Sequence, residues 1–298
     1  MVTLSGVGLQ TGKMVSMTLK PSPAGSGVNF VRTDMSTRPL LNIRSLDLQG
    51  GLFNFARRTT LGTGPLQIQT TEHLLAALSG LAIDNIIVEL DNEELPGLDG
   101  SAKDFVDIIK NAGYAIQDAP RTAFEVRDRV RCERDGASLE ITPSDSFKIS
   151  YTLDYPDPAI GRQSFDITVT EETFEKEISR ARTFCLEKEV KALLAMGLGK
   201  GANYKNTLVL GANGPVDNEL RFPDEPVRHK ILDLIGDLSL VGVPFLAHVI
   251  AIRSGHFSNT SLARELTAYF RKWGSLDHDF RHSSHQKDFT TQISISAC

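Results

Sequence analysis

The chain has 298 residues, is 41% hydrophobic and 23% charged, and carries a net charge of −5; it is long enough to bury the cores of two ordinary domains, and its charge argues against nucleic acid as a partner. No apolar run reaches membrane-spanning length and residues 1–8 lack the basic and apolar segments of a signal peptide, so a cytoplasmic protein is expected. Three scattered cysteines, Cys132, Cys185 and Cys298, without zinc-finger spacing, exclude a disulfide framework and agree with a reducing compartment.

The first third opens with Ser5-Gly6-Val7-Gly8-Leu9-Gln10-Thr11-Gly12-Lys13. No Ser or Thr follows Gly-Lys, so these glycines read as a hairpin turn and not as a phosphate loop. Alternation predicts strands over 14–20 and 28–32, and a more continuous apolar run predicts a buried-type strand over 85–90. A helix over 72–78 ends near Gly80, with Thr70 or Thr71 as its cap. Glu72 and His73 stand at its positive end. Glu72 there complements the helix dipole, and the same pair could equally supply a general base beside a metal ligand. Leu95-Pro96-Gly97-Leu98-Asp99-Gly100-Ser101 is a turn opening an amphipathic helix over 102–112.

Gln117-Asp118-Ala119-Pro120-Arg121 marks a domain boundary, because a new run of strands follows, over 123–132, 137–142 and 147–153, expected as an antiparallel set. The expected units are an N-terminal α+β domain over 1–119, a C-terminal α+β domain over 120–273, and a mobile polar tail over 274–298 whose histidines His278, His282 and His285 invite only adventitious metal binding. Within the second unit come a strand over 163–168, a helix over 171–178, a short helix over 188–196, the turn Gly197-Leu198-Gly199-Lys200-Gly201, a strand over 245–252 and a helix over 261–273.

A further helix, over 226–241, concentrates the chemistry. Asp224 and Glu225 lie in its cap region, Pro226 suits the first position and Gly242 the stop. His229, Asp233 and Asp237 recur every fourth residue, within roughly 80° of arc. The other positions are mainly Ile and Leu, so the helix should be buried, and buried carboxylates need partners. One reading pairs them with Arg228 or Lys230 as a structural network. The other takes His73, His229 and Asp233 as the two-imidazole, one-carboxylate set of a catalytic zinc site, with Glu72 as base, Asp237 orienting a histidine and His256 as acid.

Thr59-Thr60-Leu61, Thr71-Glu72-His73-Leu74-Leu75-Ala76-Ala77-Leu78, Asp99-Gly100-Ser101-Ala102, Ala181-Arg182-Thr183-Phe184, Val227 to Asp233, Gly236-Asp237-Leu238 and Ser254-Gly255-His256 stand in one order from about Ser5 to Leu266. Together they resemble the UDP-3-O-acyl-N-acetylglucosamine deacetylases, zinc amidases of lipid A biosynthesis. The resemblance implies an α+β fold of two similar two-layer sheet/helix domains, packed helix face to helix face with the active site between them. It implies Zn2+ on His73, His229 and Asp233, with Fe2+ also suited to such donors. Glu72 is then the general base, His256 the acid or electrostatic stabiliser with Asp237 behind it, and Thr183 a donor to the oxyanion. Phe184 packs on the substrate, and Lys230 and Arg253 face the diphosphate. An insert over 186–209 forms an acyl passage lined by Val190, Leu193, Tyr204 and Thr207. The implied reaction removes the N-acetyl group from a UDP-linked acylated amino sugar, by a cytoplasmic monomer. The alternative is a non-catalytic UDP-sugar or acyl-chain binding protein that retains the fold. The sequence departs from the family pattern where Gln10 replaces histidine, Cys185 replaces glycine, Lys205-Asn206-Thr207 replaces Asp-Asn-Ala, and Arg253 stands where lysine is frequent.

Overall fold

The computed structural model describes residues 1–46, 57–134, 136–272 and 286–295. The first half runs β1 (Val2–Val7), β2 (Met14–Pro21), β3 (Val28–Arg32), β4 (Leu40–Asn42), a short ribbon of β5 (Thr60–Leu61) and β6 (Ile68–Gln69), α1 (Glu72–Gly80), β7 (Ile83–Leu90) and α2 (Lys103–Ala112). After β8 (Tyr114–Glu125) the second half runs β9 (Val130–Arg134), β10 (Ala137–Thr142), β11 (Phe147–Asp154), β12 (Arg162–Thr168) and α3 (Glu171–Thr173), which continues as a π turn over Phe174–Ile178. Next come β13 (Phe184–Leu186), α4 (Glu187–Ala195), β14 (Leu208–Gly211), β15 (Gly214–Pro215), α5 (Glu225–Leu238), β16 (Phe245–Ile252), α6 (His256–Lys272) and β17 (Gln286–Ile295).

The two halves repeat one topology. The first sheet has the order β1-β2-β7-β3-β4, antiparallel except where β7 meets β3. The second has β9-β10-β16-β11-β12, antiparallel except where β16 meets β11. The expected antiparallel set is thus corrected at β11, which lies parallel to β16. The physical reason is burial: Phe245-Leu246-Ala247-His248-Val249-Ile250-Ala251-Ile252 is the more apolar run and takes the central place between β10 and β11. Gln117 to Arg121, where a boundary was expected, lies inside β8. β17 falls within the segment expected as a mobile tail, yet pairs with β7 and β8 and so joins the two sheets; its sequence, with Phe289, Thr290, Thr291, Ile293 and Ile295, has strand propensity. Residues 273–285, including His278, His282 and His285, lie outside the described residues.

Each half lays helices on one face of its sheet, and α1 packs against α5 between them. Leu74, Leu75 and Leu78 of α1 and Ile231, Leu232 and Ile235 of α5 are buried with Phe30, Ile86 and Val88 from one sheet and Ile141, Ile149 and Val249 from the other, in one contiguous apolar cluster. The helices approach closely because Gly236 has no side chain: a Cβ there would lie 2.1 Å from the carbonyl oxygen of Glu72. Gly242, at φ 80°, ends the 3-10 turn that extends α5. Among the described residues, no helix is long and apolar enough to cross a membrane.

Gly236→Ala should push α1 and α5 apart. The expected cost is about 1–3 kcal/mol, read as a lower denaturant midpoint with an unchanged slope. An unaltered midpoint would show that the interface absorbs the methyl group.

Candidate metal centre and active site

α1 and α5 meet where their polar residues lie. Glu72 and His73 occupy the first turn of α1, and His229, Asp233 and Asp237 line one face of α5; all five are buried. His73 Nε2 and His229 Nε2 lie 3.8 and 3.3 Å from Asp233 Oδ1, and one donor atom from each of the three residues falls within 4.8 Å of the others. Burial pushes the His73 imidazole down to about 3, with the neighbouring His229 adding to it. Burial likewise lowers His229, against the pull of Asp233. Both rings are therefore neutral and can offer a lone pair. His229 Nδ1–H donates to the Ala181 carbonyl at 3.0 Å, which turns its Nε2 toward Asp233 as an acceptor. Burial works against the Asp233 carboxylate, but the positive charges of Lys230 and His256 outweigh it and hold its pKa well below the usual range.

The arrangement fits a cation. Asp233 Oδ2 accepts from Lys230 Nζ at 2.7 Å, while the buried Asp233 Oδ1 has no hydrogen-bond partner. An unpartnered carboxylate oxygen beside two neutral imidazoles is costly without an ion and apt with one.

A second constellation adjoins it. His256 Nδ1 lies 2.9 Å from Asp237 Oδ2, and its Nε2 lies 3.9 Å from Asp233 Oδ2. Burial opposes charge on this ring, yet Asp237 and Asp233 outweigh it and raise the pKa to about 9. Asp237 is fixed from three sides: Thr59 Oγ1 donates to its Oδ1 at 2.5 Å, Asn259 Nδ2 donates to Oδ2 at 2.9 Å, and His256 takes the rest. The backbone N–H of Thr59 also donates to Glu72 Oε2 at 3.1 Å. Glu72 is pushed up to about 8, first by burial and then by Asp237 and Asp233, against His256.

These groups open into a cleft of about 700 Å³. Its lining combines the polar Glu72, His73, His229, Lys230, Asp233, Arg253 and His256 with the apolar Leu9, Phe184, Cys185, Leu193, Leu198 and Ala202, and the Phe184 ring stands 6.2 Å from that of His229. Thr183, Thr207 and Gln10 also line it. The backbone of Thr183 is pinned, its N–H donating to Gly100 O and its C=O accepting from Leu208 N–H, both at 2.8 Å. Gly100, at φ 79°, must stay glycine, since a Cβ there would lie 1.7 Å from Asn206 O. The neighbouring Arg182 is buried and forked onto Glu225 at the start of α5, with Nε–Oε1 at 2.8 Å. Lys230 stays charged because Asp233 offsets the burial of its ammonium and raises its pKa above that of an ordinary lysine. The structural-network reading is answered for Arg228, which pairs with Asp224 and Glu177 and not with Asp233 or Asp237.

Of the predicted site residues, Asp237, Val190 and Tyr204 are not among those lining the cleft: Asp237 is fully buried behind His256, Val190 is half-buried in α4, and Tyr204 is exposed. Asn259 escaped sequence reasoning because α6 begins at His256, five residues earlier than the expected start at 261, which puts the two residues three apart on one helix. Thr59 lies on a non-periodic stretch, and nothing local marks its contacts with Glu72 and Asp237.

Residues 1–268 match the family model described as UDP-3-O-acyl N-acetylglycosamine deacetylase. The chain is 42% identical over 265 residues to the UDP-3-O-acyl-N-acetylglucosamine deacetylase of Myxococcus xanthus, covering 89% of this chain and 83% of that one. It is 44% identical over 267 residues to the protein of the same name from Chlamydia abortus, covering 89% and 94% of the two chains.

The His256–Asp237 pair yields a measurable titration. Its imidazolium should persist to about pH 9, and Asp237→Asn should release the proton at lower pH, because the leading attraction is gone while the burial penalty remains. Nuclear magnetic resonance of the ring in metal-free protein reads both midpoints. Equal midpoints would remove Asp237 from this role.

Proposed function

The chain belongs to the UDP-3-O-acyl N-acetylglycosamine deacetylase family, and from that membership we propose that it hydrolyses the N-acetyl group of UDP-3-O-[(3R)-3-hydroxyacyl]-N-acetylglucosamine, releasing acetate and the free 2-amino group in lipid A biosynthesis. The observation that carries this reading is the unpartnered, buried Asp233 Oδ1 between His73 and His229, with Glu72 and His256 opening into the same cleft. His73, His229 and Asp233 would hold Zn2+, and Fe2+ suits the same donors. When bound, the ion supplies Lewis acidity that polarises the amide carbonyl and lowers the pKa of water.

The chain's own groups divide the remaining work. Glu72 accepts the proton of the attacking water; a carboxyl raised to about 8 by burial is a stronger base than an exposed one, and the Thr59 N–H keeps Oε2 in place. His256, held as imidazolium by Asp237, stabilises developing negative charge and can protonate the departing amine. Thr183 is a positioned donor for the oxyanion, its backbone clamped between Gly100 and Leu208. Phe184 packs beside the sugar. Lys230 and Arg253 face the diphosphate, with Asp233 keeping Lys230 cationic. The acyl chain takes the end lined by Leu9, Cys185, Leu193, Leu198, Ala202 and Thr207. The two halves on either side of β8 act as the two domains, and the enzyme works as a cytoplasmic monomer. A binding-only role leaves the combined base, acid and metal-fitting set without a use.

Purified protein should deacetylate this substrate, and Glu72→Gln should lose roughly 10²- to 10⁴-fold in kcat while keeping its metal content. A metal-loaded wild type that turns over no acylated substrate would overturn the reading. A fully active Glu72→Gln would overturn the role of Glu72 alone.

A further inference from the structure

Beside the apolar cleft residues Leu9 and Leu198, two turns, one from each half, form a partition. The turn between β1 and β2 meets the turn that follows α4, where Gly199 N–H donates to the Gln10 side-chain Oε1 at 2.9 Å. Lys200 N–H donates to Gln10 O at 3.3 Å and Gly201 N–H to Leu9 O at 3.1 Å. The contact is tight, since a Cβ on Gly201 would lie 2.2 Å from Gly8 O. Glu94, only 1% exposed, braces the β1–β2 turn from behind by accepting from Gln10 N–H at 2.8 Å and Thr11 N–H at 2.7 Å.

Beyond this partition lies a second cavity of about 460 Å³. Gln10 and Leu198 line both cavities; Gly199 faces the first and Gly197 the second. The two spaces are thus separated by one amide side chain, one leucine and the glycine turn that carries it.

We propose that Gln10, latched to Gly199, together with Leu198, forms the end wall of the acyl-binding part of the cleft and sets the longest acyl chain that binds fully buried. This rests on the reading that an acyl chain occupies that end. Each methylene buried short of the wall strengthens binding roughly fourfold, and a methylene that would have to enter the wall gains nothing. Gln10→Ala removes the amide while leaving the backbone bonds from Lys200 and Gly201, so the two turns stay docked and the cavities join. Leu198→Ala opens the same wall from the other half.

The test is calorimetric binding of saturated fatty acids of increasing length to wild type, Gln10→Ala and Leu198→Ala. Wild-type affinity should climb with length and then level off. In both variants it should keep climbing roughly fourfold per methylene past that length. The same plateau in all three proteins, or no binding of any fatty acid to wild type, would overturn the wall. Because the variants act from opposite halves, misfolding of one leaves the other to decide. Deacetylation measured alongside separates the two readings: shifted plateaus without turnover in wild type would sink the catalytic reading and leave the wall standing.

Discussion

The site depends on the approach of α1 to α5 at Gly236. Where that glycine lets the Glu72 carbonyl sit against α5, the first turn of one helix is brought against the C-terminal half of the other. The metal-fitting set is split across this contact, with His73 on one helix and His229 and Asp233 on the other. A set divided in this way exists only in the folded protein, and the apolar cluster around the two helices holds its geometry. Burial around the set also accounts for much of its electrostatics. It makes both imidazoles neutral and raises Glu72, while the Asp233 carboxylate survives its own burial because the cationic Lys230 and His256 face it.

Behind the groups that face the cleft stands a shell of fixed partners. Thr59 reaches both Glu72 and Asp237, so base and acid share one anchor. Arg182 and Glu225 form a buried pair at the start of α5, extended by the half-buried Asn218, and Arg221 ties that region to Asp99 in the other half at 2.7 Å. The network aligns Thr183 and the strand that begins at Phe184 with the helix carrying His229. Buried ion pairs of this kind contribute little net stability compared with apolar packing, and their use here is positional.

Elements with a strong local period were legible in the sequence. α5 shows the four-residue recurrence of His229, Asp233 and Asp237 with Pro226 before it and Gly242 after it, and the helix ends within three residues of the expected limit. β3, β10 and β16 were readable end to end for the same reason. Pairing was less legible, because β11 finds its partner about 100 residues away in β16, a choice made by relative burial and invisible to local alternation. Polar residues at Ser258, Asn259, Thr260 and Ser261 hid the start of α6, and with it Asn259. Of the site, ligand types and spacing were readable from the chain, whereas their convergence was implied only by the family resemblance. Thr59 and Glu94 act through contacts far apart in sequence and leave no local signature.

Glu72 and His256 reach raised pKa values by opposite routes, and this makes them suited to opposite tasks. Glu72 rises because its charged form is desolvated, so positive charge placed at the neighbouring triad would favour its carboxylate and prepare it to accept a proton. His256 rises in spite of desolvation, because two carboxylates face it, and it holds its proton throughout the neutral range. The same α5 face supplies both controls, Asp233 toward the metal-fitting set and Asp237 toward His256, one helical turn apart. Spacing along one buried helix therefore sets both the place of the cation and the protonation of the acid.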